Sequence, residues 1–285
     1  MLPVLALFIV GPVITLPLAA LRGVDAGHDV SLLVGANPLL GILLGGTLLL
    51  AAAVYGWLSA RLIDARTGTL SAGFLLAWAA WRTGSMEWLF RLQPGSGTLI
   101  RLSVESTILG VGALVICLLI VGSGRGRHEN PHADLPGPHL GSLKQLANPQ
   151  VLAGVGVGAL AALVIAHLVA FNPLRGQALV AAVLASIAAG ALTRLVIGAA
   201  ANREAPSASP YAAVALAGIV GPVIGFITPG AARLDDAALH GTLLGPLLVQ
   251  PLDWAAGMLI GTPIGLAWAG AAVHKAHDVE SASSR

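Results

Sequence analysis

Long apolar stretches bounded by polar or proline-rich residues dominate the pattern of this chain. A transmembrane helix needs about 20 mostly apolar residues, and stretches of that kind recur along the sequence. They predict eight spans, at residues 2–21, 38–60, 68–82, 98–121, 151–171, 176–199, 210–228 and 252–273. Because backbone groups in lipid have to be paired within their own segment, we expect helices. The predicted fold class is an all-α, polytopic integral membrane bundle of about eight transmembrane helices.

One long polar connection divides the chain. Residues 123–150 are rich in Gly, Pro, His and charge, and they predict a cytoplasmic loop between two groups of four spans. The first group lies within residues 1–122 and the second within residues 151–273. Residues 274–285 are predicted to form a soluble tail, for which we expect disorder because polar chain ends are rarely tied down.

Two shorter connections carry apolar residues at helical spacing. Residues 85–97 predict a short helix on the membrane surface, with Glu87 and Arg91 facing water. The residues expected on its lipid side are Met86, Trp88, Leu89 and Phe90. Residues 230–250 have a similar spacing and are also expected to lie along the interface.

Small residues at helical spacing indicate where helices pack closely. Gly41 and Gly45 form such a pair in the second span, and the last span carries a longer stripe of Gly257, Gly261 and Gly265. Glycines four residues apart lie on one helix face and let a neighbouring backbone approach. Kinks that open a cavity are expected at the prolines within the spans, Pro12, Pro222 and Pro263.

The composition supports a membrane protein and excludes other classes. Of the 285 residues, 56% are hydrophobic and 10% are charged, with a mean hydropathy of +0.85. A soluble domain carries about 25% charged residues, so a water-soluble body of this size is excluded. The basic residues are scattered over loops rather than gathered on one face, and no nucleic-acid partner is predicted. The single Cys117 lies inside a span, which excludes an intrachain disulfide.

Glu105 is the only carboxylate predicted to lie inside a span rather than at its edge. It is about seven residues from the outer end of span 98–121, roughly 10 Å at 1.5 Å per residue. A charge at this depth usually faces the protein interior or a water-filled cavity and has a partner. Two alternatives follow. Either Glu105 pairs with Arg101, one turn away, and reaches the interface, or it lines a cavity and binds a cation or a proton.

Further polar residues are predicted at a similar depth on the same side of the membrane. Together with Glu105 they make up a candidate substrate-binding site, if the rotation of the helices brings them together; they are Arg101, His167, Gln177 and Asp253. Arg194 lies in the opposite half of the membrane. We expect its guanidinium to reach the interface or to cap a backbone carbonyl, with binding of an anionic group as the alternative.

The distribution of Lys and Arg favours a chain in the cytoplasmic (inner) membrane with both termini in the cytoplasm. Counted over loops and tail, eight basic residues fall on the side of the N-terminus and five on the other side. The lipid bilayer is therefore the first predicted partner.

Histidines near the polar connection raise the question of a metal site. His128, His132 and His139 are spread over twelve residues among prolines, and no Cys lies among them. A zinc site needs ligands in a fixed tetrahedral arrangement, so solvated histidines are the favoured interpretation, and the same holds for His274 and His277. No metal and no cofactor are predicted.

No sequence motif indicates an activity. The nucleophile elbow, the zinc-protease helix and an intramembrane aspartate pair are all missing. The first hypothesis is a permease-like protein that binds or passes a small solute or cation through an outer-facing cavity near Glu105. The second is a non-catalytic membrane subunit or assembly protein, in a homo-oligomer or with partner subunits. The third is a lipid-modifying intramembrane enzyme, which the missing motifs disfavour.

Overall fold

The computed structural model describes residues 1–21, 31–35, 37–123, 140–201 and 205–283, and this part of the chain is helical with no strand. In chain order, its helices are α1 (Leu2–Leu21), α2 (Pro38–Leu62), α3 (Ala65–Arg82), α4 (Met86–Leu92), α5 (Ser96–Ser123), α6 (Leu140–Lys144), α7 (Pro149–Val169), α8 (Arg175–Ala201), α9 (Ser209–Ile227), α10 (Leu234–Leu239), α11 (Gly245–Leu248) and α12 (Pro251–Ser283). Seven of these described helices are long and apolar enough to cross a membrane: α1, α2, α5, α7, α8, α9 and α12. The predicted all-α membrane bundle is confirmed.

The third predicted span corresponds to α3, which is not among those seven helices. Its first two turns contain polar residues such as Arg66, Thr69 and Ser71, which lower its hydropathy. The helix lies inside the bundle instead of facing lipid, because it packs against α1, α2, α5, α8 and α12. Protein contacts therefore replace lipid contacts along most of α3, and together with the seven it makes up the expected eight long helices.

The structure differs from the predicted tail. The last helix does not end near residue 273 but continues to Ser283, so the expectation of disorder over residues 274–283 is wrong. The loop histidines His128, His132 and His139 lie outside the described residues, as do the side chains of His274 and His277.

Prolines interrupt α1 but do not open a cavity at α9. In α1, a π-helical stretch, Ala6–Val10, directly precedes Gly11 and Pro12, and the helix ends in a 3₁₀ stretch, Leu16–Leu21. Such stretches are typical of helix kinks. In α9, the space next to Gly218 is occupied by the ring of Trp254, so the Pro222 interruption accommodates a neighbouring side chain.

The glycine stripe of α12 lets a neighbouring backbone approach, as predicted, and the structure shows that this neighbour is α8. A Cβ atom added at Gly257 would lie 2.6 Å from the carbonyl oxygen of Ala182. Added Cβ atoms at Gly261 and Gly265 would overlap the carbonyl oxygens of Val183 and Ile187 in the same way. Small residues thus set the spacing of these helices, since nothing larger than hydrogen fits between the two backbones.

A second, smaller core lies at one end of the bundle. It is formed by short segments, residues 31–35, α4 and residues 231–248, which pack over the first turns of α5; we call these three segments the cap. Its buried apolar residues are Val34, Met86, Leu89, Phe90, Leu99, Leu102, Leu234, Ala238 and Leu247.

The cap corrects the prediction of an interfacial helix at residues 85–97. The helix α4 exists, and Glu87 pairs with Arg91 as expected. Its apolar side, however, packs against protein rather than lipid, with Phe90 fully buried and only Trp88 half exposed, at 49%. The sequence pattern reveals an apolar helix face but not which apolar medium covers it. Residues 230–250 likewise fold into the cap rather than along the interface.

Candidate functional site

Glu105 is buried in the bundle at the base of the cap. Its side chain is 2% exposed, and all of its observed hydrogen bonds come from the short segment before α2. Oε2 accepts from the hydroxyl of Ser31 at 2.5 Å and from the backbone N–H of Leu33 at 2.9 Å, while Oε1 accepts from the N–H of Leu32 at 3.3 Å. The carboxylate therefore holds residues 31–33 against α5.

Two glycines of α2 allow residues 31–35 to pack closely against that helix. A Cβ atom at Gly41 would overlap the backbone carbonyl of Leu32, and one at Gly45 would lie 2.9 Å from the Leu32 side chain. The predicted small-residue pair of α2 thus admits a close neighbour, but that neighbour is the non-helical segment 31–35 and not another helix. Ser31 also accepts from the N–H of Val34 at 3.3 Å, which closes the segment into a turn.

The donors around Glu105 are neutral. Successive backbone N–H groups that converge on one anion form a nest, which binds negative charge through partial charges alone. Among the described residues, no Lys, Arg or His makes an ion pair with Glu105. The described partners of Glu105 therefore supply dipoles and no compensating positive charge.

The predicted ion pair between Arg101 and Glu105 is not formed. Glu105 lies on the buried side of α5 with Leu102 and Leu109, whereas Arg101 is exposed. The two residues are one turn apart, but the helix is rotated so that the boundary of the buried face passes between them.

The second buried carboxylate, Asp253, has a different partner. Its side chain is fully buried at the start of α12, where Oδ2 and Oδ1 accept from Nη1 and Nη2 of Arg175 at 3.2 and 3.3 Å. Oδ2 also accepts from the N–H of Gln250 at 3.0 Å. Gln250 in turn accepts from the hydroxyl of Thr83 at 2.6 Å. The Arg175–Asp253 ion pair is bidentate, and together with the Gln250 and Thr83 hydrogen bonds it links the ends of α3, α8 and α12.

Among the described residues, neither His167 nor Gln177 makes a hydrogen bond or an ion pair with either carboxylate. His167 is exposed on α7, and Gln177 accepts from the backbone N–H of Asn172 at 3.1 Å, beside the start of its own helix. Among the described residues, no hydrogen bond or ion pair joins any two members of the predicted five-residue site. The structure places Glu105 and Asp253 in two separate networks.

Sequence reasoning missed Ser31 and Arg175. Ser31 stands in a loop with no distinguishing pattern, and its role depends on how that loop folds back over Gly41. Arg175 could have been found: it begins one span and Asp253 begins another on the same predicted side, with opposite charge.

Arg194 behaves as expected. Its Nη1 donates to the backbone carbonyl of Leu266 on α12 at 3.0 Å, which is a carbonyl cap between two helices.

A crevice between α1, α3, α8 and α12 is apolar. It has a volume of about 270 Å³, with Leu7, Phe74, Val183 and Ile260 among its walls. Glu105 is not among the residues that line it. No group of three His, Cys, Asp or Glu side chains able to hold a metal ion occurs within the described ranges.

Comparisons with protein-family models, with curated proteins and with solved structures find no match for this chain.

Proposed function

We propose that this chain is a permease-like membrane protein that binds a proton or a small cation at Glu105 and passes it across the membrane. The observation that carries the proposal is a carboxylate buried at membrane depth, with neutral donors and no cationic side chain among its described partners. Ionisable residues inside a membrane are expensive, and they often mark ion pathways or proton relays.

The cover over Glu105 supports the same proposal. Residues 31–35 are not helical, and they are held over the carboxylate by three hydrogen bonds. Protonation or cation binding at Glu105 would weaken those bonds, because each of them is assisted by the negative charge. The segment would then move away and open an outer-facing cavity. In this conformation the site is closed.

We further propose an inner-membrane location, with the cap on the outer side and both termini in the cytoplasm. The distribution of basic residues supports this orientation. Arg61 stacks on Trp57 at 5.3 Å near the end of α2, and Arg91 stacks on Trp88 at 5.0 Å in the cap. Aromatic and basic side chains of this kind anchor a membrane protein at the two interfaces.

Proton movement into vesicles tests the proposal. The purified chain is reconstituted with a pH-sensitive dye inside, and internal acidification is followed after a pH gradient and a potassium diffusion potential are imposed. We expect the wild type to acidify the interior faster than protein-free vesicles do, and Glu105→Gln to lose this excess rate. Glu87→Gln is the matched control, since it makes the same change at an acid of the cap that is paired to Arg91.

Equal rates for Glu105→Gln and the wild type would overturn the proposal. A wild-type rate equal to that of empty vesicles, repeated with sodium and potassium gradients, would also overturn it. If Glu105→Gln does not fold, Glu105→Asp keeps the carboxyl group and is expected to retain a reduced rate.

One observation favours a second candidate, a non-catalytic membrane subunit. The crevice between α1, α3, α8 and α12 is lined by apolar side chains, and small residues fill contacts between the long helices. A subunit that packs against a second copy or a different membrane protein needs no polar cavity. A stoichiometric partner that survives crosslinking and purification, together with no ion flux, would support this candidate.

A further inference from the structure

Ten buried side-chain nitrogen or oxygen atoms of the described residues have no hydrogen-bond partner, and two of them, on Ser106 and Trp254, belong to helices that pack against each other. Ser106 is 4% exposed and Trp254 is 3% exposed, and neither the Ser106 hydroxyl nor the indole N–H of Trp254 finds an acceptor or donor in the protein. Buried polar atoms are nearly always hydrogen-bonded to protein or to a bound molecule. Both atoms therefore point to something that the protein itself does not supply.

The packing of α5 against α9 brings the face of α5 that carries Ser106 against the face of α9 that carries Gly218. An added Cβ atom at Gly110 would lie 3.3 Å from Ala215, and one at Gly225 would lie 2.9 Å from Leu99. Leu99 of α5 contacts Gly225 of α9, whereas Gly110 contacts Ala215, so the two helices are antiparallel. Residues of α5 between 99 and 110 therefore lie beside residues of α9 between 215 and 225. Ser106 shares one face of α5 with Leu99 and Gly110, since the spacings are seven and four residues.

Trp254 reaches the same point from α12. Its ring atoms would lie 3.2 to 3.4 Å from a Cβ atom at Gly218, and its Nε1 would lie 3.9 Å from one at Gly221. The indole thus runs along α9 from Gly218 towards Gly221. Each of the helices α5, α9 and α12 contacts the other two.

Backbone acceptors complete the arrangement. Pro222 has no N–H, so the carbonyl of Gly218 loses the donor that a helix normally provides four residues later. The carbonyl of Pro246 would lie 3.1 Å from a Cβ atom at Gly221, on the side where the Trp254 ring ends. Donors and acceptors are therefore both present around one spot.

This spot lies on a helix that is long and apolar enough to cross a membrane. Ser106 directly follows Glu105 on α5. A buried water needs two to four polar partners, and the indole N–H, the hydroxyl and a freed carbonyl meet that requirement.

We infer that Ser106, Trp254 and the carbonyl of Gly218 form a binding site for one molecule of water's size that both donates and accepts hydrogen bonds. The site holds water in the resting protein. It is separate from the network of Glu105 and does not depend on the proposed function. It stabilises the proline interruption of α9, because the bound molecule supplies the donor that Pro222 lacks.

An experimental density map of the purified protein, at a resolution that shows ordered water, tests this inference directly. We expect a density peak within hydrogen-bond distance of at least two of the three groups, and we expect Ser106→Ala to remove or displace it. Direct hydrogen bonds between the protein groups, with no peak, would overturn the inference.

Thermal stability in detergent gives an independent test. If Ser106 and Trp254 share one bound molecule, the shift in melting temperature from Ser106→Ala becomes smaller when Trp254→Phe is already present. Ser59→Ala is the matched control, because its hydroxyl is also buried and unpartnered but lies near the far end of α2. Its shift should be the same in both backgrounds. Additive shifts for Ser106→Ala and Trp254→Phe would overturn the inference.

Discussion

The two buried carboxylates of this protein are held in opposite ways. Asp253 is fully buried and forms an ion pair with Arg175. Glu105 is 2% exposed and accepts hydrogen bonds from a hydroxyl and two backbone N–H groups, all of them neutral donors. The first arrangement joins the ends of three helices, whereas the second attaches a short loop segment to one helix.

This difference decides which of the two carboxylates can carry the proposed function. An ion pair buried in protein has a fixed composition, because removal of either partner leaves an uncompensated charge. A carboxylate held by neutral donors can gain a proton or a cation without stranding an opposite charge. For this reason the proposed function rests on Glu105, although both acids were candidates in the sequence.

The largest effect is expected from breaking the ion pair. Arg175→Ala leaves Asp253 buried without its cation, and we expect a loss of about 3–5 kcal/mol in the free energy of unfolding. Denaturant unfolding in detergent measures it. The double variant with Asp253→Asn removes both charges and should recover part of the loss. If Arg175→Ala lowers the free energy of unfolding by less than about 1 kcal/mol, as for an exposed ion pair, the Asp253 network is not a structural ion pair of the kind described here.

Glu105→Gln should cost less than Arg175→Ala. One oxygen of the carboxylate becomes an NH₂ group that faces a donor, so we expect a loss of about 1–3 kcal/mol in the same unfolding measurement. Glu87→Gln is the control and should stay within about 1 kcal/mol of the wild type, since its ion pair with Arg91 is partly exposed. A loss for Glu105→Gln as large as that for Arg175→Ala would assign Glu105 a purely structural role.

Gly41→Ala addresses the cover over Glu105 without touching the carboxylate. The added Cβ atom overlaps the carbonyl of Leu32, so residues 31–35 have to shift. We expect a loss of about 1–3 kcal/mol and faster modification of Glu105 by a hydrophobic carbodiimide, followed by mass spectrometry. At Gly46 an added Cβ atom meets open space, so Gly46→Ala should neither lower the free energy of unfolding nor speed the labelling of Glu105. Unchanged labelling in Gly41→Ala would argue against residues 31–35 as the cover.

Ser31→Ala should have the smallest effect. It removes one donor to Glu105 and the acceptor for the N–H of Val34, and we expect a loss of about 1 kcal/mol. Ser103→Ala is the control, because that hydroxyl donates only to its own helix, at the carbonyl of Leu99. Equal losses in the two variants would mean that the Ser31 bond adds nothing specific to the Glu105 site.

The sequence predicts much of the bundle, because hydrophobic length and small-residue spacing are local properties. The long helices and the close packing at the Gly257 stripe follow from such patterns, whereas the choice of α8 as the partner of the stripe does not. The face of α4 does not, because buried protein and lipid select the same apolar residues. Only the folded chain shows that Phe90 is covered by the cap.

The candidate site could be predicted only in part. The depth of Glu105 follows from its position in the span, so its burial was foreseeable. Its partners were not, since they depend on helix rotation and on the path of a loop. The rotation of α5 turns Arg101 outward. Because Gly41 has no side chain, the backbone of Leu32 packs against α2, and this places Ser31 within hydrogen-bond distance of Glu105.

The most direct test of the central claim is infrared difference spectroscopy of the carboxyl groups in the reconstituted protein, recorded as pH and sodium concentration are changed. The account predicts a carboxyl band that changes with these conditions, is absent in Glu105→Gln and is retained in Glu87→Gln. A spectrum that is the same in the wild type and in folded Glu105→Gln would contradict it.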